Sequence, residues 1–380
     1  MTPGARMAAA IAVLDGWLGG VPAEKALTAW ARGARYAGSG DRAAIRDHVY
    51  DVLRRLESCA ALGGGRSGRA LMIGLARLQG LAVADLFTGG YAPDPLDEAE
   101  RQAPNVAPDP WRDVPGWLRP ALRDALGDCA DSVIAQMAQR APLYLRVNAR
   151  ASEVDLVEEM LTSDSILTGK TILRGALKVT DGGRKLRQSQ AYRDGLVEIQ
   201  DLSAQQAVAA IDWPTSGAVL DYCAGGGGKA LAIAAISDAA IHVHDANPAR
   251  MRDLPPRADR AGVALHPIDR ARRYDAVLAD VPCSGSGTWR RDPEAKWNLT
   301  PERLVELTAL QADILEEARA LLRPGGRLIY MTCSLLRAEN EDQVTAFLTR
   351  HGDWQLTQQR WFLPPAGSDG FYLAELTHPG

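Results

Sequence analysis

Residues 219–229 read Val-Leu-Asp-Tyr-Cys-Ala-Gly-Gly-Gly-Gly-Lys and decide the fold that we expect for the second half of this chain. The apolar run over residues 219–222 predicts a buried strand, and residues 229–236 have the spacing of a helix. The glycines between them let the backbone approach a ligand closely, and the following helix offers unpaired N–H groups at its start. A strand, a glycine turn and a helix in this order predict a ligand site at the end of a parallel sheet.

The same alternation of strands and helices continues along the chain. Further strands are predicted at residues 241–245, 264–266, 276–280 and 328–331, and helices at residues 249–260 and 301–322. This pattern indicates an α/β fold, here a doubly wound, Rossmann-like domain over residues 204–380.

Two other regions precede this domain. Residues 111–203 mix strands with a helix near 153–161, which predicts a small α+β domain similar to an RNA-recognition fold. Apolar residues recur at helical spacing up to about Leu86, and a stretch rich in Pro, Gly and Asp follows over residues 88–115. We therefore expect a helical domain with its linker over residues 1–110.

Composition limits the class of protein. The 380 residues carry a formal net charge of −4, which counts mildly against a nucleic-acid partner, but basic clusters occur at residues 184–187, 270–273 and 290–291. The five cysteines contain no C-x-x-C pair and the six histidines are scattered, so neither a metal site nor a disulfide framework is expected. No apolar run reaches the roughly eighteen residues of a membrane span. We expect a cytoplasmic monomer with no membrane partner, in a reducing compartment.

Three kinds of ligand compete for the glycine loop. A Walker-type phosphate loop does not fit, because Ala230 follows Lys229 where that motif requires Ser or Thr. A dinucleotide fingerprint fits loosely through Gly225, Gly227 and Ala230, with Asp245 at a suitable distance for a ribose hydroxyl. S-adenosylmethionine uses the same architecture. The loop alone does not choose between the last two ligands.

Two cysteines follow two of the predicted strands. Cys283 lies in Asp-Val-Pro-Cys-Ser-Gly and Cys333 lies in Thr-Cys-Ser. A lone cysteine is more often a small packing residue, but the carboxyl ends of parallel strands meet at the ligand crevice. Carbon 5 of cytosine is too electron-poor to take a methyl group directly, so an enzyme first adds a thiolate to carbon 6. A second thiol helps to remove the carbon 5 proton, so the pair favours a cytosine-5 methyltransferase over a nicotinamide-dependent oxidoreductase.

Two carboxylates have open roles. Asp280, just before the Cys283 loop, would hold the edge of a cytosine or the methyl-bearing end of a cofactor, or would cap a turn. Asp269, after the strand at 264–266, would lie near an adenine or would be an exposed loop acid.

Several motifs occur in order, at residues 221–229, 280–288, 290–297, 332–334 and 339–341. Together they resemble the NOL/NOP/Sun family of RNA cytosine-5 methyltransferases, and within it the bacterial Sun/Fmu type that modifies small-subunit ribosomal RNA. The resemblance implies that Cys333 is the nucleophile that bonds to carbon 6 and that Cys283 serves proton removal and product release. It also implies that Asp280 stabilises the protonated ring nitrogen. Methyltransferases of DNA use the cysteine of the Pro-Cys motif as nucleophile, so the second cysteine indicates RNA.

The resemblance implies S-adenosylmethionine as the cofactor. The positions that match the family's cofactor contacts are Cys223, Ala224, Gly225, Gly226, Gly227, Gly228, Lys229, Asp245, Asp269 and Asp280. The family loop commonly has proline where this chain has Gly226. We expect this loop to be more flexible, at an ordering cost of up to ~1 kcal/mol, and to bind the cofactor more weakly.

The N-terminal region of the family resembles the antitermination factor NusB, and the helical region of this chain resembles a shortened version that would bind RNA. The expected partner is therefore RNA, specifically 16S ribosomal RNA of the small subunit. Two alternatives stay open: a tRNA cytosine-5 methyltransferase, and a non-catalytic RNA-binding protein of the same fold.

Overall fold

The computed structural model describes residues 1–378. These residues pack as two units, which we call the helical unit and the sheet unit. The helical unit comprises Met1–Arg123, Gly127–Arg140 and Trp289–Asn298, and the sheet unit comprises Asp124–Leu126, Ala141–Thr288 and the chain from Leu299 onward. The three domains expected above stay a prediction, and the two packing units divide the chain at other positions.

Short helices joined by tight turns build the first 140 residues. They are α1 (Pro3–Leu18), α2 (Ala23–Gly33), α3 (Ser39–Arg54), α4 (Leu56–Gly63), α5 (Gly68–Leu78), α6 (Val83–Leu86), α7 (Glu98–Arg101), α8 (Arg119–Leu126) and α9 (Ala130–Met137). Ile45, Val49 and Val52 recur on one face of α3 and are fully buried in the core of the helical unit. The expectation of a helical N-terminal region is confirmed.

A small antiparallel sheet opens the sheet unit. Its strands are β1 (Leu143–Val147), β2 (Leu167–Lys170), β3 (Ala176–Asp181) and β4 (Val197–Ile199), in the spatial order β2-β3-β1-β4. Helix α10 (Val154–Ser163) packs Val157 and Leu161 into a core with Leu145 and Leu177 from the sheet. The expected α+β region is therefore confirmed. Helix α11 (Gln190–Arg193) precedes β4, and α12 (Leu202–Ala209) connects β4 to the larger sheet.

A mixed seven-stranded sheet forms the rest of this unit. Its strands are β5 (Ala218–Asp221), β6 (Ala240–Val243), β7 (Leu265–Pro267), β8 (Tyr274–Asp280), β9 (Leu322–Thr332), β10 (Gln355–Phe362) and β11 (Phe371–Thr377), in the order β10-β11-β9-β8-β5-β6-β7. Strands β5 to β9 are parallel, as expected for a doubly wound fold. The hairpin β10–β11, which pairs antiparallel with β9, was not expected from the sequence.

The order of the strands reverses beside β5. The chain runs outward from β5 to β6 and β7, and then returns to β8 on the other side of β5. In open α/β sheets the crevice at such a point, outside the carboxyl ends of the strands, holds the ligand. The helices that accompany these strands are α13 (Gly228–Ala234), α14 (Leu254–Ala261), α15 (Pro293–Asn298), α16 (Pro301–Ala320) and α17 (Glu341–Arg350).

The short segment Trp289–Asn298 lies in the methyltransferase-like part of the sequence but packs in the helical unit. Glu294 accepts hydrogen bonds from Trp17 Nε1 at 3.0 Å and from the backbone N–H of Ala23, the first residue of α2. Lys296 Nζ donates to the carbonyl of Arg54 at 3.0 Å. Sequence position alone would place this segment with the sheet.

Among residues 1–378, no helix combines the length and the apolar character that a membrane span requires.

Candidate active site

The two predicted thiols lie side by side at the carboxyl ends of β8 and β9. These strands are parallel neighbours with Asp280 opposite Met331, and the N–H of Val281 extends the pairing to the carbonyl of Met331 at 3.1 Å. Cys283 and Cys333 therefore leave the sheet at the same edge, and their Sγ atoms are 3.4 Å apart. This distance allows an S–H···S hydrogen bond between the thiols.

Cys283 has a strongly perturbed thiol. The pKa of Cys283 is raised well above its ordinary value, first by the hydrogen bond with Cys333, then by burial, and then by the negative charges of Cys333 and Glu339. A thiol with a raised pKa keeps its proton at neutral pH. Cys283 is therefore the thiol, rather than the thiolate, of this pair.

Lys229 and Asp280 form an ion pair beside the thiols. Lys229 Nζ donates to Asp280 Oδ2 at 2.6 Å and lies 5.0 Å from the ring centre of Phe371. Burial disfavours the ammonium charge, but Asp280, Asp221 and the charge of Cys333 outweigh it, so the pKa of Lys229 is raised above its usual value. Lys229 therefore stays a cation, and the cationic end of the glycine loop reaches the strand that carries Cys283.

The glycine loop has a backbone that needs glycine at two positions. Gly225 has φ +49° and Gly227 has φ +80°, and a Cβ on Gly227 would lie 2.9 Å from the side chain of Leu254. Asp245, which is 5% exposed, accepts the N–H of Gly225 at 3.0 Å through its carboxylate. The structure thus brings the predicted loop and the predicted acidic strand end together.

Asp221 ends β5 and is 1% exposed. In the described part of the chain neither of its carboxylate oxygens has a hydrogen-bond partner of normal geometry. Burial and the charge of Asp280 raise its pKa to about 7, against the opposing effect of Lys229. A buried carboxylate without such partners is costly unless a bound ligand supplies a donor.

The other predicted loop residues have backbone or packing roles. Burial raises the pKa of the Cys223 thiol, so it is not a thiolate, and the N–H of Ala224 donates to the carbonyl of His244 at 2.8 Å. Arg257, itself paired with Glu198 at 2.9 Å, donates to the carbonyl of Gly226. This guanidinium restrains the loop where the family has proline. The N–H groups of Gly228 and Lys229 belong to the first turn of α13, a helix of only seven residues.

Asp269 is exposed and lies after β7. Its Oδ1 accepts the N–H of Ala271 at 3.0 Å, and its own N–H donates to Tyr274 Oη at 2.9 Å. Among the hydrogen bonds of residues 1–378, those of Asp269 stay within this turn and do not reach the glycine loop. Its contact with a cofactor stays a prediction.

A buried carboxylate near the thiols received no role from the sequence. Glu339 is 0% exposed and accepts hydrogen bonds from Ser284 and Ser334, which directly follow Cys283 and Cys333. The only signal in the sequence was its place in the motif at 339–341, because its partners lie far away along the chain. The roles of the predicted site residues are not decided by these contacts and stay predictions.

In residues 1–378, no group of three or more His, Cys, Asp or Glu side chains is arranged to hold a metal ion.

Two family models match this chain. The model described as 16S rRNA methyltransferase RsmB/F matches residues 209–377. A second model, the ferredoxin-like domain of RsmF/B-like methyltransferases, matches residues 114–182. The two models match the large sheet and most of the small sheet, in the order found here.

Curated relatives carry the same description. The chain is 36% identical over 280 residues to ribosomal RNA small subunit methyltransferase B of Xanthomonas campestris, a match that covers 68% of this chain and 62% of the relative. It is 32% identical over 287 residues to the protein of that name from Xylella fastidiosa, with 69% of this chain and 68% of the relative covered. The matches thus span about two thirds of the length of these relatives.

Solved structures agree in fold. The crystal structure of PH0851 matches with a TM-score of 0.78 at 23% identity and covers 99% of both chains. NSun6 from Pyrococcus horikoshii, solved with SFG, matches with a TM-score of 0.62 at 17% identity and covers 70% of this chain and 98% of NSun6. The sheet order and the glycine loop define a Rossmann-like methyltransferase fold. Within that class, the chain belongs to the RsmB/F family of methyltransferases.

Proposed function

We propose that this protein is an S-adenosylmethionine-dependent RNA cytosine-5 methyltransferase that acts on 16S ribosomal RNA. The observation that carries the proposal is the pair of thiols, Cys283 and Cys333, with Sγ atoms 3.4 Å apart at the ligand edge of a Rossmann-like sheet. The relatives from Xanthomonas campestris and Xylella fastidiosa, both named ribosomal RNA small subunit methyltransferase B, support the choice of RNA. The proposed chemistry needs both thiols in the reduced form, and we therefore propose that the protein works in the cytoplasm, a reducing compartment.

Cys333 acts as the nucleophile. The raised pKa of Cys283 keeps the shared proton on that residue, and the ammonium of Lys229 is close enough to interact with a charge on Cys333. In this arrangement Cys333 Sγ forms a bond to carbon 6 of a cytosine that has been flipped out of its stack. The electron pair of the carbon 5–carbon 6 double bond moves to carbon 5, which becomes nucleophilic.

Asp280 holds the ring during this attack. Its carboxylate lies at the end of β8, three residues before Cys283, and Lys229 fixes it through the 2.6 Å contact. A proton taken up from solvent by the ring nitrogen neutralises the negative charge that develops in the ring, and the Asp280 carboxylate accepts a hydrogen bond from that N–H. The nitrogen returns this proton to solvent when the product is released. Lys229 is a positioning residue in this account because it acts through Asp280 and Cys333.

Cys283 completes the cycle. After carbon 5 has been methylated, its proton must leave and the Sγ–carbon 6 bond must break. The 3.4 Å separation lets Cys283 give its proton to the departing Cys333 sulfur and then take the proton from carbon 5. One proton is released to solvent for each methyl group transferred, and both thiols return to their starting state.

The residues of the loop fit S-adenosylmethionine. The partner-poor carboxylate of Asp221 suits an ammonium group, the positive-φ glycines leave room for close backbone approach, and Asp245 suits a ribose hydroxyl. S-adenosylmethionine, when bound, supplies a methyl group made electrophilic by the sulfonium charge. The fold neighbour NSun6 was solved with SFG, an analogue of this cofactor.

The main test uses single-cysteine variants and a transcript of 16S ribosomal RNA. Cys283→Ala is expected to form a covalent complex with the RNA that survives denaturing electrophoresis, because attack proceeds and release does not. Cys333→Ala is expected to be inactive and to form no such complex. Trapping by Cys333→Ala instead would reverse the roles of the thiols, and trapping by neither variant would contradict the covalent mechanism.

The RNA target needs a separate measurement. Bisulfite sequencing of ribosomal and transfer RNA from cells with and without the gene is expected to show one cytosine in 16S RNA that loses its protection. Loss of protection in transfer RNA alone would favour the tRNA alternative. Unchanged protection in both pools, together with no trapping, would favour the non-catalytic alternative.

A groove in the helical unit supports an additional contact with RNA. It lies between α2 and α3, has a volume of about 840 Å³ and is lined by Trp30 and four exposed arginines, Arg32, Arg35, Arg42 and Arg46. Its lining residues include no acidic side chain. A basic groove with an aromatic wall is typical of proteins that follow a nucleic-acid backbone.

Two of these arginines are available for phosphates. Within residues 1–378, neither the Arg32 nor the Arg35 guanidinium has a hydrogen bond or an ion pair, whereas Arg46 pairs with Glu24 at 3.0 Å. Tyr36, in the turn between α2 and α3, is 76% exposed and offers a ring on which a base can stack. The chain as a whole carries a net charge of −4, whereas the charged residues that line the groove are all arginines. We therefore assign RNA phosphates as the ligand of this groove.

The salt dependence of RNA binding tests the groove. The double variant R32Q/R35Q is expected to lower the slope of log Kd against log salt by roughly 0.7–0.9 for each RNA phosphate that an arginine no longer neutralises. The variant R66Q/R101Q removes the same charge from the same unit outside the groove and is the matched control. Equal changes in both double variants would indicate a general charge effect and would contradict RNA binding in the groove.

A further inference from the structure

Glu339 is the buried anion of the sheet unit that touches both thiol-bearing loops. Its Oε1 accepts the N–H of Ser284 at 2.8 Å and Gln311 Nε2 at 3.0 Å, and its Oε2 accepts the hydroxyls of Ser284 and Ser334. All four partners are donors, which is the pattern of an ionised carboxylate. In the described residues no lysine, arginine or histidine forms an ion pair with it.

These contacts tie together two segments that are 50 residues apart in the chain. Ser284 directly follows Cys283, and Ser334 directly follows Cys333. Gln311, on α16, also donates to the carbonyl of Pro282 at 2.9 Å, so the same amide steadies the Cys283 loop from its other side. Glu339 itself is held by Tyr330 Oη, which donates to its carbonyl at 2.6 Å.

The charge of Glu339 is not shared equally by the two loops. Two of its hydrogen bonds go to Ser284, beside Cys283, and one goes to Ser334, beside Cys333. The negative charge of Glu339 contributes to the raised pKa of Cys283, after the Cys333 hydrogen bond and burial. The cation Lys229, in contrast, interacts with Cys333.

We propose that Glu339 is a positioning residue that assigns the roles of the two thiols: its buried charge keeps the proton on Cys283, and attack on carbon 6 is left to Cys333. The inference rests on the proposed methyltransferase function and concerns the same site. Among the described residues, Lys229 interacts electrostatically with Cys333 and Tyr330 with Cys283, and Asp280 pairs with Lys229. Only Glu339 among them is hydrogen-bonded to both thiol-bearing loops.

The physical reason is electrostatic. A negative charge held in a poorly solvated interior raises the free energy of a nearby thiolate, and the effect is larger at shorter distance. Glu339 accepts more hydrogen bonds from the Cys283 loop than from the Cys333 loop, so Cys283 is the thiol that it affects more. Two identical side chains 3.4 Å apart would otherwise share one proton with little preference. A fixed anion on one side and a fixed cation on the other remove that symmetry.

The test measures thiol reactivity in the full-length protein without RNA or cofactor. Iodoacetamide alkylation of Cys283 and Cys333 is followed separately by peptide mass spectrometry across pH. In the wild type Cys333 is expected to react faster near neutral pH. In Glu339→Gln the pKa of Cys283 is expected to fall, and the ratio of Cys333 to Cys283 alkylation is expected to drop about tenfold for each unit of that fall. Glu339→Asp, which keeps the charge, should retain most of the preference.

A second pair of variants covers the case in which Glu339→Gln does not fold. Gln311→Lys places a cation against the intact Glu339 carboxylate and should shift the alkylation ratio in the same direction, whereas Gln311→Met, without a charge, should not. An unchanged ratio in Glu339→Gln or, if that variant is unfolded, in Gln311→Lys would overturn the proposal and leave Glu339 a structural clamp. Because alkylation needs neither RNA nor cofactor, this outcome is distinct from a failure of the covalent trapping experiment.

Discussion

Asp221 and Asp280 end neighbouring strands, β5 and β8, and the ammonium of Lys229 pairs with Asp280. Two carboxylates and one lysine leave this cluster one negative charge in excess when all three are ionised. The excess appears in the pKa of Asp221, which is raised to about 7, first by burial and then by Asp280. An arrangement that is costly in the free protein is suited to receive a cationic ligand.

Replacing Asp221 by Asn is expected to stabilise the protein in a pH-dependent way. The pKa of Asp221 is about 7 in the folded chain and 3.8 for the ordinary side chain, so the unfolded chain loses this proton first. The free energy of unfolding of the wild type therefore falls as pH rises through this window. We expect D221N to be more stable than wild type at alkaline pH, on the order of 2–4 kcal/mol, and nearly equal to it at acid pH. Urea unfolding at both pH values checks this, and a pH-independent difference would contradict it.

The ion pair between Lys229 and Asp280 is expected to show strong coupling. Lys229→Met and Asp280→Asn each leave one charged partner poorly solvated and unpaired. The losses of unfolding free energy in the two single variants should therefore add up to more than the loss in the double variant. A double-mutant cycle on the free energy of unfolding is expected to give a coupling of roughly 1–3 kcal/mol. Both singles should also lose methyl transfer. Additive effects in the cycle would show that the contact contributes no net stability.

The break between α3 and α4 is decided by a segment from far along the chain. Helix α3 ends at Arg54 and α4 begins at Leu56, which leaves backbone carbonyls without partners inside a helix. Trp297 Nε1 donates to the carbonyl of Leu53 at 2.7 Å, and Lys296 Nζ donates to that of Arg54. A cation at a helix C-terminus is favoured by the helix dipole. The segment Trp289–Asn298 therefore supplies the hydrogen-bond donors that the carbonyls at the end of α3 need.

Lys296 gives this helix end a measurable pH dependence. Burial lowers its pKa to about 8 from 10.5, so between these values the unfolded chain binds the proton and the folded chain does not. The contribution of this group to the free energy of unfolding therefore rises with pH through that window. Relative to Lys296→Met, the wild type is expected to gain on the order of 2–3 kcal/mol from pH 8 to pH 10.5. Exposed Lys25→Met is the control and should show no such gain in a chemical unfolding series.

The chain leaves the sheet unit after Thr288 and returns to it at Leu299. The segment between these points begins with Trp289, which is 2% exposed, and includes Lys296, which is 5% exposed. The hydrogen-bond partners of Lys296 and Trp297, the carbonyls of Arg54 and Leu53, belong to the first third of the chain. The helical unit is thus built from two separate parts of the sequence, because residues 289–298, from within the methyltransferase sequence, pack in it.

A chain that begins at residue 141 is expected to be less stable than the intact protein. It would lack the helical core against which Trp297 packs and the carbonyl that pairs with Lys296, so apolar surface and a buried amine would be exposed. We expect a lower melting temperature and faster hydrogen exchange in residues 289–298. Co-expression of residues 1–140 as a separate chain should restore both. An unaltered melting temperature of the truncated chain would contradict the importance of this packing.

Local patterns in the sequence were sufficient for much of the fold. The five parallel strands, the glycine turn and the helical N-terminus follow from short hydrophobic periods and glycine placement, which are properties of a few neighbouring residues. Strand β10 was missed because its exposed polar residues, Gln355, Thr357 and Gln359, give no apolar run. Its partner β11 was missed because periodicity alone does not distinguish a buried strand of seven residues from a segment of a buried helix.

The sequence by itself determined which chemistry-bearing residues stand at strand ends: Cys283, Cys333 and the glycine loop could all be located from local patterns. Only the tertiary structure decided that the two Sγ atoms lie 3.4 Å apart, that Lys229 reaches Asp280 and that Glu339 joins both thiol-bearing loops. The physical reason is that hydrogen bonds and ion pairs depend on distances of a few ångströms between atoms. Such distances between residues 50 or more apart in the chain exist only once the sheet has assembled.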